Sequence, residues 1–459
     1  MTHNTLGWSS RWMFVLAATG SAVGLGNIWR FPYVTGENGG GAFVIVYLIC
    51  VLLVGLPVMI GEILLGRWGG GSPVNAIKKV ASKEGLSKKW RFLGLMGVAA
   101  GFLILSFYSV IAGWSLAYTK MFLVDYSNFE SVEKNQEIFS VLTESAGLML
   151  FWHTFFMLIT GIVVAKGIKD GLENAVKYLM PILFLMLALL VLYASVAGNF
   201  SSAILYLFKP NFEAFETKSL LAALGQAFFS LSLGMGSIMA YGAYLSPKTP
   251  ILSNGLIIAL ADTLVALMAG LAIFPIVFAH GMEPSQGPGL VFVSLAAGFS
   301  SMPFGQVFGF FFFLLLSIAA WTSSISLLEP AVGWITERSK WSRPKSCIVA
   351  GGIAWIFGIG SILSFNHGQR VKILGLNFFE FCEFLSTSVM LPLGGLLISI
   401  LVGWKLNKAR VFKQLGLSVE GKTTNLIFSS MRFLAPIGVF CILLESCGLL
   451  EYLTMKFGF

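Results

Sequence analysis

Charged residues are scarce in this sequence. Only 11% of its 459 residues are Asp, Glu, Lys or Arg, and 56% are hydrophobic. A soluble globular protein is about a quarter charged, so this composition excludes that class. Cysteine and histidine are also rare, with five and four residues, and they form neither a CxxC pair nor a cluster with metal-ligand spacing. We therefore expect no disulfides, no metal centre of that kind and no enzyme active site.

Long apolar runs fill the chain instead. Runs close to 20 residues are typical of membrane-spanning helices. Eleven spans are predicted, at 11–35, 41–67, 91–123, 146–165, 174–197, 219–245, 251–280, 304–336, 346–365, 374–402 and 428–453. The segments 284–300 and 405–425 are predicted as loops with short helices. We expect one transmembrane domain over 1–459 and, because the N-terminus lacks an apolar run with a small-residue cleavage site, no cleaved signal peptide.

Basic residues gather on one side of these spans. The 67–91 segment carries seven Lys and Arg, and the 403–432 segment, on the same side, carries six. The acidic 124–145 segment lies on the other side. Because cytoplasmic loops hold the excess of Lys and Arg, we predict a cytoplasmic N-terminus, an extracellular C-terminus and location in the cell (inner) membrane. The net charge of +9 then reflects these basic cytoplasmic loops. We expect the lipid bilayer as a partner and no nucleic acid.

Two spans contain residues that weaken a helix. Gly24-Leu25-Gly26 is followed at once by Asn27, and Gly234-Met235-Gly236 interrupts the sixth span. Backbone groups freed by a break need partners in protein or a water-filled cavity, which favours binding sites; close helix packing through small residues is the alternative. Each break lies in the first span of a five-span half, at about 11–197 and 219–402, with an extra helix at 428–453. Paired broken helices are typical of transporters built from inverted repeats.

Two carboxylates lie inside apolar spans. Asp262 stands in ALADTLVALMAGLAIF, and Glu62 stands in LPVMIGEILLGRW. A charged side chain at membrane depth costs about 3 kcal/mol on insertion scales and indicates a functional site. For each residue, the alternative is a hydrated position near a helix end. This alternative carries more weight for Glu62 than for Asp262.

The motifs resemble those of the neurotransmitter:sodium symporter family. They are GSAVGLGNIWRFPY at 20–33, ENGGGAF at 37–43, GQAFFSLSLGMG at 225–236 and WTSSISLLEP at 321–330. The resemblance covers Trp8 to about Gly395 and is strongest to bacterial members with eleven spans. It implies an all-α polytopic membrane protein with the LeuT-like 5+5 inverted repeat and broken helices 1 and 6. The implied function is sodium-coupled import of hydrophobic L-amino acids by alternating access. Alternatives are a narrower substrate such as tryptophan or tyrosine only, a biogenic-amine transporter and a non-transporting receptor.

The same resemblance implies two Na⁺ sites. The first takes a backbone carbonyl and three side chains, from Ala22, Asn27, Ser230 and Asp262. The second takes three carbonyls and two hydroxyls, from Gly20, Val23, Ala319, Thr322 and Ser323. For the two hydroxyls, bonding back to their own helix is the alternative. Chloride-binding relatives carry asparagine and serine where this chain has Asp262 and Ala266. Because a fixed negative charge beside Na⁺ replaces the anion, we expect no chloride requirement.

The implied substrate site uses both breaks. Its residues are Ala22, Gly24, Leu25, Gly26, Ile104, Tyr108, Phe229, Ser232, Met235, Ser323, Ser326 and Leu327. Amine transporters of the family place aspartate at the position of Gly24, so a ligand here should bring its own carboxylate. Met235 is flexible and favours a broad range of apolar side chains.

The resemblance also implies gates and buried supports. Arg30 and Glu383 form the external gate, with Glu380 as a rival to Glu383. The cytoplasmic gate residues are Trp8, Tyr244 and Glu337. The family's basic residue at this gate is Thr5 here, so this gate is expected to be weaker or to use Arg11.

Two further features concern the breaks and the fifth span. Glu62 is expected to bind amides freed by the break in the first helix, and Gln226 to be a second buried support. Gly171 and Pro181 have the Gly-x9-Pro spacing that implies local unwinding of the fifth span. A capped helix start with a tolerated proline kink is the alternative.

Overall fold

The computed structural model describes residues 7–126, 129, 131–284, 289–417 and 421–446. Helices make up this described part, apart from loops and two isolated bridges, Gly40–Pro210 and Ile373–Leu376. The principal helices are α1 (Arg11–Ala22), α2 (Gly26–Glu37), α3 (Gly41–Gly69), α4 (Pro73–Lys83), α5 (Lys88–Val124), α6 (Val132–Glu144), α7 (Ala146–Ala165), α8 (Ile168–Ala197), α9 (Phe200–Phe208), α10 (Thr217–Ser230), α11 (Ser237–Gly242), α12 (Ile251–Ala279), α13 (Leu290–Ser300), α14 (Gly305–Ser339), α15 (Arg343–Leu363), α16 (Phe378–Lys405), α17 (Lys408–Leu415) and α18 (Asn425–Leu444).

Within the described residues, nine single helices are long and apolar enough to cross a membrane. The pair α1 and α2, bent by 50°, adds a tenth span. The predicted sixth span, 219–245, consists of α10 and α11, and each is too short to cross alone. Length and composition therefore do not confirm the count of eleven. The last part of the predicted 428–453 span lies outside the described residues.

Some helix boundaries differ from the prediction for local reasons. The fifth span begins at Ile168 rather than 174, because Gly167, at φ 90°, ends the preceding connection and a π turn continues into the helix. The tenth begins at Phe378 rather than 374, because Asn377 and Glu380 form a capping box there. The 284–300 and 405–425 segments contain α13 and α17, as expected of loops with short helices.

The packing places both breaks at the centre of the helix bundle. The longest helices, α5 and α14, lie against each other, and α1 packs on α12 and α14. The inner surfaces are buried, whereas α7, α8 and α15 expose Leu158, Leu185 and Ile348. Such exposed apolar side chains suit contact with lipid. The broken helices are therefore enclosed by the others, as unpaired backbone in a membrane requires.

A candidate site between two broken helices

The first break separates α1 from α2 at residues 23–25. Val23 leaves helical geometry, at φ −69° and ψ 110°, and the chain resumes its helix at Gly26. At Gly24, a Cβ atom would lie 2.5 Å from the Ser323 Oγ and 2.7 Å from the Tyr108 hydroxyl. Glycine is thus needed here because two hydroxyl groups approach the backbone.

The second break, at residues 231–236, separates α10 from α11. Gly234 and Gly236 have φ of 81° and 74°, which glycine adopts without strain. Glu62 Oε1 accepts a hydrogen bond of 2.6 Å from the amide of Gly234. The expectation that Glu62 binds amides freed in the first helix is therefore wrong for this structure. Its carboxylate is placed by α3 against the break between α10 and α11.

The two breaks meet through buried hydrogen bonds. The Ser232 hydroxyl donates to the Ser21 carbonyl at 2.8 Å. Gln226 Nε2 donates to the Gly26 carbonyl at 2.8 Å, so Gln226 does link the two broken helices. These bonds fix the freed backbone of one helix against the other.

The side chains predicted for the first sodium site converge in the structure. Asn27 Nδ2 donates to Asp262 Oδ1 at 2.7 Å, and the Asn27, Ser230 and Asp262 side chains are fully buried. Ser230 Oγ lies 3.1 Å from the hydroxyl of Tyr47. The other carboxylate oxygen, Asp262 Oδ2, has no hydrogen-bond partner among the described residues. An oxygen-rich pocket with an unpartnered carboxylate oxygen is chemically suited to a hard cation.

The residues predicted for the second sodium site also lie together. Ser323 Oγ lies 3.0 Å from the Val23 carbonyl and 3.4 Å from that of Gly20, so this α14 side chain reaches across to α1. The Thr322 hydroxyl instead donates to the Ala319 carbonyl, at 3.0 Å, within its own helix. Back-bonding therefore describes Thr322 here but not Ser323. A hydroxyl that donates in this way keeps a lone pair for a cation.

A small cavity of about 20 Å³ lies where the two breaks meet. Its walls are formed by Ser21, Ala22, Gly24, Gly26, Ile104, Tyr108, Phe229, Ser232, Met235, Ser323 and Leu327. This space holds about one water, so a larger ligand requires the walls to move apart.

Two residues differ from the predicted lining. Ser21 was missed. The contribution of Leu25 is its backbone amide, which donates to the Tyr108 hydroxyl at 3.1 Å. Ser326 lies behind the wall, where its hydroxyl donates to the Ser323 carbonyl and accepts from Ser21. Sequence spacing identified the helix faces but not which of two buried serines borders the cavity.

At one end of the cavity, Arg30 lies over Phe229. The guanidinium carbon is 4.6 Å from the ring centroid, which is a cation–π contact. Arg30 and Glu383 are both described, and no ion pair joins them. Glu380 is occupied by the capping box and by Lys372, 3.7 Å away. The carboxylate with fewer local partners is that of Glu383.

At the opposite end, the N-terminal segment rests on α11. Trp8 Nε1 donates to the Tyr241 carbonyl at 3.0 Å. The Glu337 carboxylate accepts hydrogen bonds from the backbone amide of Ser72, at 2.8 Å, and from its hydroxyl. These bonds connect Glu337 to the start of α4. Thr5 lies outside the described residues.

Arg11, the expected substitute at this gate, is engaged elsewhere. Its Nε donates to Asn254 on α12 at 2.6 Å.

A buried ion pair on this side was not predicted. Glu329, whose side chain is 1% exposed, pairs with Arg343. Arg343 also donates to the Val164 carbonyl at 2.8 Å, and the Tyr244 hydroxyl contacts both charged groups. The pair thus joins α14, α15 and the end of α7. The signal was available in WTSSISLLEP, since Glu329 is a third carboxylate within an apolar span.

The fifth span is continuous in this structure. Pro181 lies inside α8, and Gly171 lies in its opening π turn. The neighbouring Met180 is fully buried, and a Cβ atom at Gly20 would lie 2.9 Å from its sulfur. Met180 therefore packs beside Gly20 and Thr322, at the predicted second sodium site.

Comparison with known proteins agrees with this architecture. Residues 6–136 and 135–457 match the Sodium:neurotransmitter symporter family. The crystal structure of MhsT in complex with L-phenylalanine, a protein with the LeuT fold, is 42% identical, has a TM-score of 0.89 and covers 96% of this chain and 100% of that one. The sodium-dependent transporter YhdH of Bacillus subtilis (strain 168) is 36% identical over 97% of this chain and 98% of its own. A sodium-dependent transporter of Haemophilus influenzae is 33% identical over 96% of this chain and 97% of its own. The resemblance and the LeuT-like all-α fold are confirmed, and this chain belongs to the sodium:neurotransmitter symporter family.

Proposed function

We propose that this protein imports hydrophobic L-amino acids, both aliphatic and aromatic, together with Na⁺ and without a chloride requirement. The observation that carries the proposal is the close approach at Gly24. Two hydroxyls lie where any side chain at this position would extend, so the first break offers no carboxylate of its own at residue 24. A ligand that supplies a carboxylate completes the site, which favours an amino acid over an amine.

The backbone at the breaks suits both ends of an amino acid. The Leu25 and Gly26 amides, at the N-terminal end of α2, favour the substrate carboxylate, as helix N-termini favour anions. The Tyr108 hydroxyl, already bonded to the Leu25 amide, is the second partner for that carboxylate. The ammonium then faces the carbonyl groups at the ends of α1 and α10.

Sodium would bind at two places with different mechanical effects. At the first, Asn27, Ser230 and Asp262 join α2, α10 and α12 around a cation that also touches the substrate carboxylate. At the second, carbonyls of α1 and hydroxyls of α14 would hold a cation between these helices. Each ion stabilises the substrate-bound arrangement of the helices, which couples the sodium gradient to uptake.

Alternating access would separate the two ends of the cavity. Arg30 over Phe229 covers one end, and the Trp8 segment on α11 covers the other. Loss of the second Na⁺ would free α1 from α14 and let the Trp8 end open, whereas movement of Arg30 toward Glu383 would close the external end. With this assignment, the N-terminus would lie in the cytoplasm.

The cavity walls favour apolar side chains. Ile104, Met235 and Leu327 are buried at its edge, and methionine can adjust to different shapes. The similar MhsT structure was solved with L-phenylalanine, an aromatic ligand of this class. Chloride independence is supported by Asp262, a fixed negative charge at the first ion site, and by Ala266, which offers no hydroxyl to an anion.

The test is uptake by the purified full-length protein in liposomes. Radiolabelled L-phenylalanine should accumulate against its gradient with external Na⁺, and not when choline replaces Na⁺. Unlabelled leucine and tryptophan should compete, and serotonin should not. Equal accumulation in choline contradicts sodium coupling. If labelled phenylalanine does not accumulate, sodium-dependent uptake of labelled serotonin supports the amine alternative, and uptake of labelled tryptophan or tyrosine but not of leucine supports the narrower range.

A further inference from the structure

A groove remains on the outside of the bundle, away from the site described above. It lies between α7 and α15 and has a volume of about 420 Å³, within the range of ligand sites. Its rims include Leu158, Ile162 and Ile348, and Ile348 is 74% exposed. Because both helices qualify as membrane spans, the groove opens toward lipid.

The polar groups within the groove are already paired. Trp355 Nε1 donates to the Thr154 hydroxyl at 2.9 Å, and the Cys347 thiol donates to the Gly161 carbonyl at 3.3 Å. These bonds leave few free donors or acceptors for a polar ligand. The walls therefore fit hydrocarbon.

Two glycines widen the groove. Gly351 and Gly352 both line it, and outside their own helix turn no atom of the described residues lies within 4 Å of the position that a Cβ atom would take at either glycine. Glycine in a membrane helix commonly permits close approach of another helix. That explanation fails for the described part of the chain, since none of its helices occupies the space. The missing side chains leave room for a molecule from the bilayer.

One end of the groove is basic. Ala165 and Pro344 line this end, where α7 ends and α15 begins. Exposed lysines surround it, and they are Lys166, Lys169, Lys340 and Lys345. Asp170 is the only acidic residue in 166–170 and 338–345. Arg343 belongs to the buried pair with Glu329.

The start of α15 adds a second attraction for an anion. Ser342, its N-cap residue, makes no side-chain capping bond, so the first amides of this 21-residue helix are not capped by it. Helix N-termini favour phosphate groups. Lys345 Nζ lies 4.3 Å from the ring centroid of Trp341, and tryptophan is enriched at the level of the lipid headgroups.

We infer that the groove binds one anionic phospholipid, with an acyl chain along Gly351 and Gly352 and its phosphate beside Lys345 and the start of α15. A second copy of this chain is the competing occupant. A two-fold pairing through this face would bring two basic ends together, which like-charge repulsion opposes. A lipid phosphate instead neutralises them. The inference does not depend on which solute is transported.

Native mass spectrometry of the detergent-purified full-length protein tests this. Phosphatidylglycerol and phosphatidylcholine with identical acyl chains are the probes, and phosphatidylglycerol should be retained preferentially. Lys166→Gln and Lys345→Gln should each lower its retention by about fivefold, and leave phosphatidylcholine unchanged. Gly352→Leu should displace both lipids by filling the groove.

Gly147→Leu is the matched control, because Gly147 is also a helix glycine with no atom within 4 Å of its Cβ position, but it lies outside the groove. It should retain lipid like the unaltered protein. Equal retention of the two lipids, or retention unaffected by Gly352→Leu, overturns the proposal. So does a dimer that dissociates in Gly352→Leu, which would assign the groove to a second copy.

Discussion

The sharpest perturbation of the proposed substrate site is a single methyl group at residue 24. In Gly24→Ala the new Cβ atom would lie 2.5 Å from Ser323 Oγ, 2.7 Å from the Tyr108 hydroxyl and 3.2 Å from Ser323 Cβ. Contacts this short cannot persist, so both hydroxyls must move. The adjoining cavity is the space into which they can relax, and it is also the space that the substrate needs. The unliganded protein should therefore fold, while binding is weakened.

The size of the effect follows from the bonds that are lost. Ser323 Oγ gives up its contact with the Val23 carbonyl at 3.0 Å, and Tyr108 gives up the Leu25 amide at 3.1 Å. Each hydrogen bond contributes about 1 kcal/mol. Overpacking adds about 1 kcal/mol or more. A total of about 3 kcal/mol corresponds to roughly 100-fold weaker binding of L-phenylalanine.

Equilibrium binding of radiolabelled L-phenylalanine at saturating Na⁺ measures this directly. Gly147→Ala is the control, since its methyl group meets no atom within 4 Å, and it should bind like the unaltered protein. Both variants should elute as folded protein in size-exclusion chromatography. If Gly24→Ala is folded and binds within about threefold of the unaltered protein, the placement of the substrate against Gly24 is refuted.

Three further outcomes are expected. Uptake by the unaltered protein should persist when gluconate replaces chloride, whereas Asp262→Asn combined with Ala266→Ser should make uptake chloride-dependent; a protein that stops in gluconate contradicts the first half. Glu329→Gln should lower the melting temperature more than Glu329→Gln with Arg343→Gln, because removing one partner of a buried pair leaves a charge uncompensated; equal melting temperatures would show that the pair does not act as a unit. Met180→Ala leaves a cavity beside Gly20 and should raise the Na⁺ concentration for half-maximal uptake several-fold, because a loss of about 1 kcal/mol of packing at the site weakens binding by that factor. An unchanged sodium titration would show that Met180 does not support the proposed second sodium site.

Much of the central architecture could be predicted because its signals are local. Glycines next to Asn27 indicate a break, and Asp262 stands out against an apolar span. These patterns place each residue on a helix at a given depth. They do not say which neighbouring helix lies opposite, because that depends on how the helices cross.

The errors arise from that missing information. Glu62 lies at a depth compatible with either break, and the structure pairs it with Gly234 rather than with the first helix. Ser326 shares a helix with Ser323, yet only Ser323 borders the cavity. The partner of Glu329 is Arg343, on the next helix, so the pair exists only after the turn between α14 and α15 has formed.

Three of the buried carboxylates in the described part of the bundle, Glu62, Asp262 and Glu329, are stabilised in different ways, and this difference supports the functional assignment. Glu329 has a cation, Arg343, as its partner. Glu62 accepts from a backbone amide at the second break, where the N-terminus of α11 begins and favours negative charge. Asp262 is bonded to the Asn27 amide through one oxygen, while its second oxygen has no hydrogen-bond partner among the described residues and shares a buried pocket with the hydroxyl of Ser230. Neutralising Glu329 should therefore chiefly change stability, and neutralising Glu62 should loosen the second break. Substitution of Asp262 is the change that should alter which ions the protein requires, because its charge is the one that a mobile cation would complete at the proposed first sodium site.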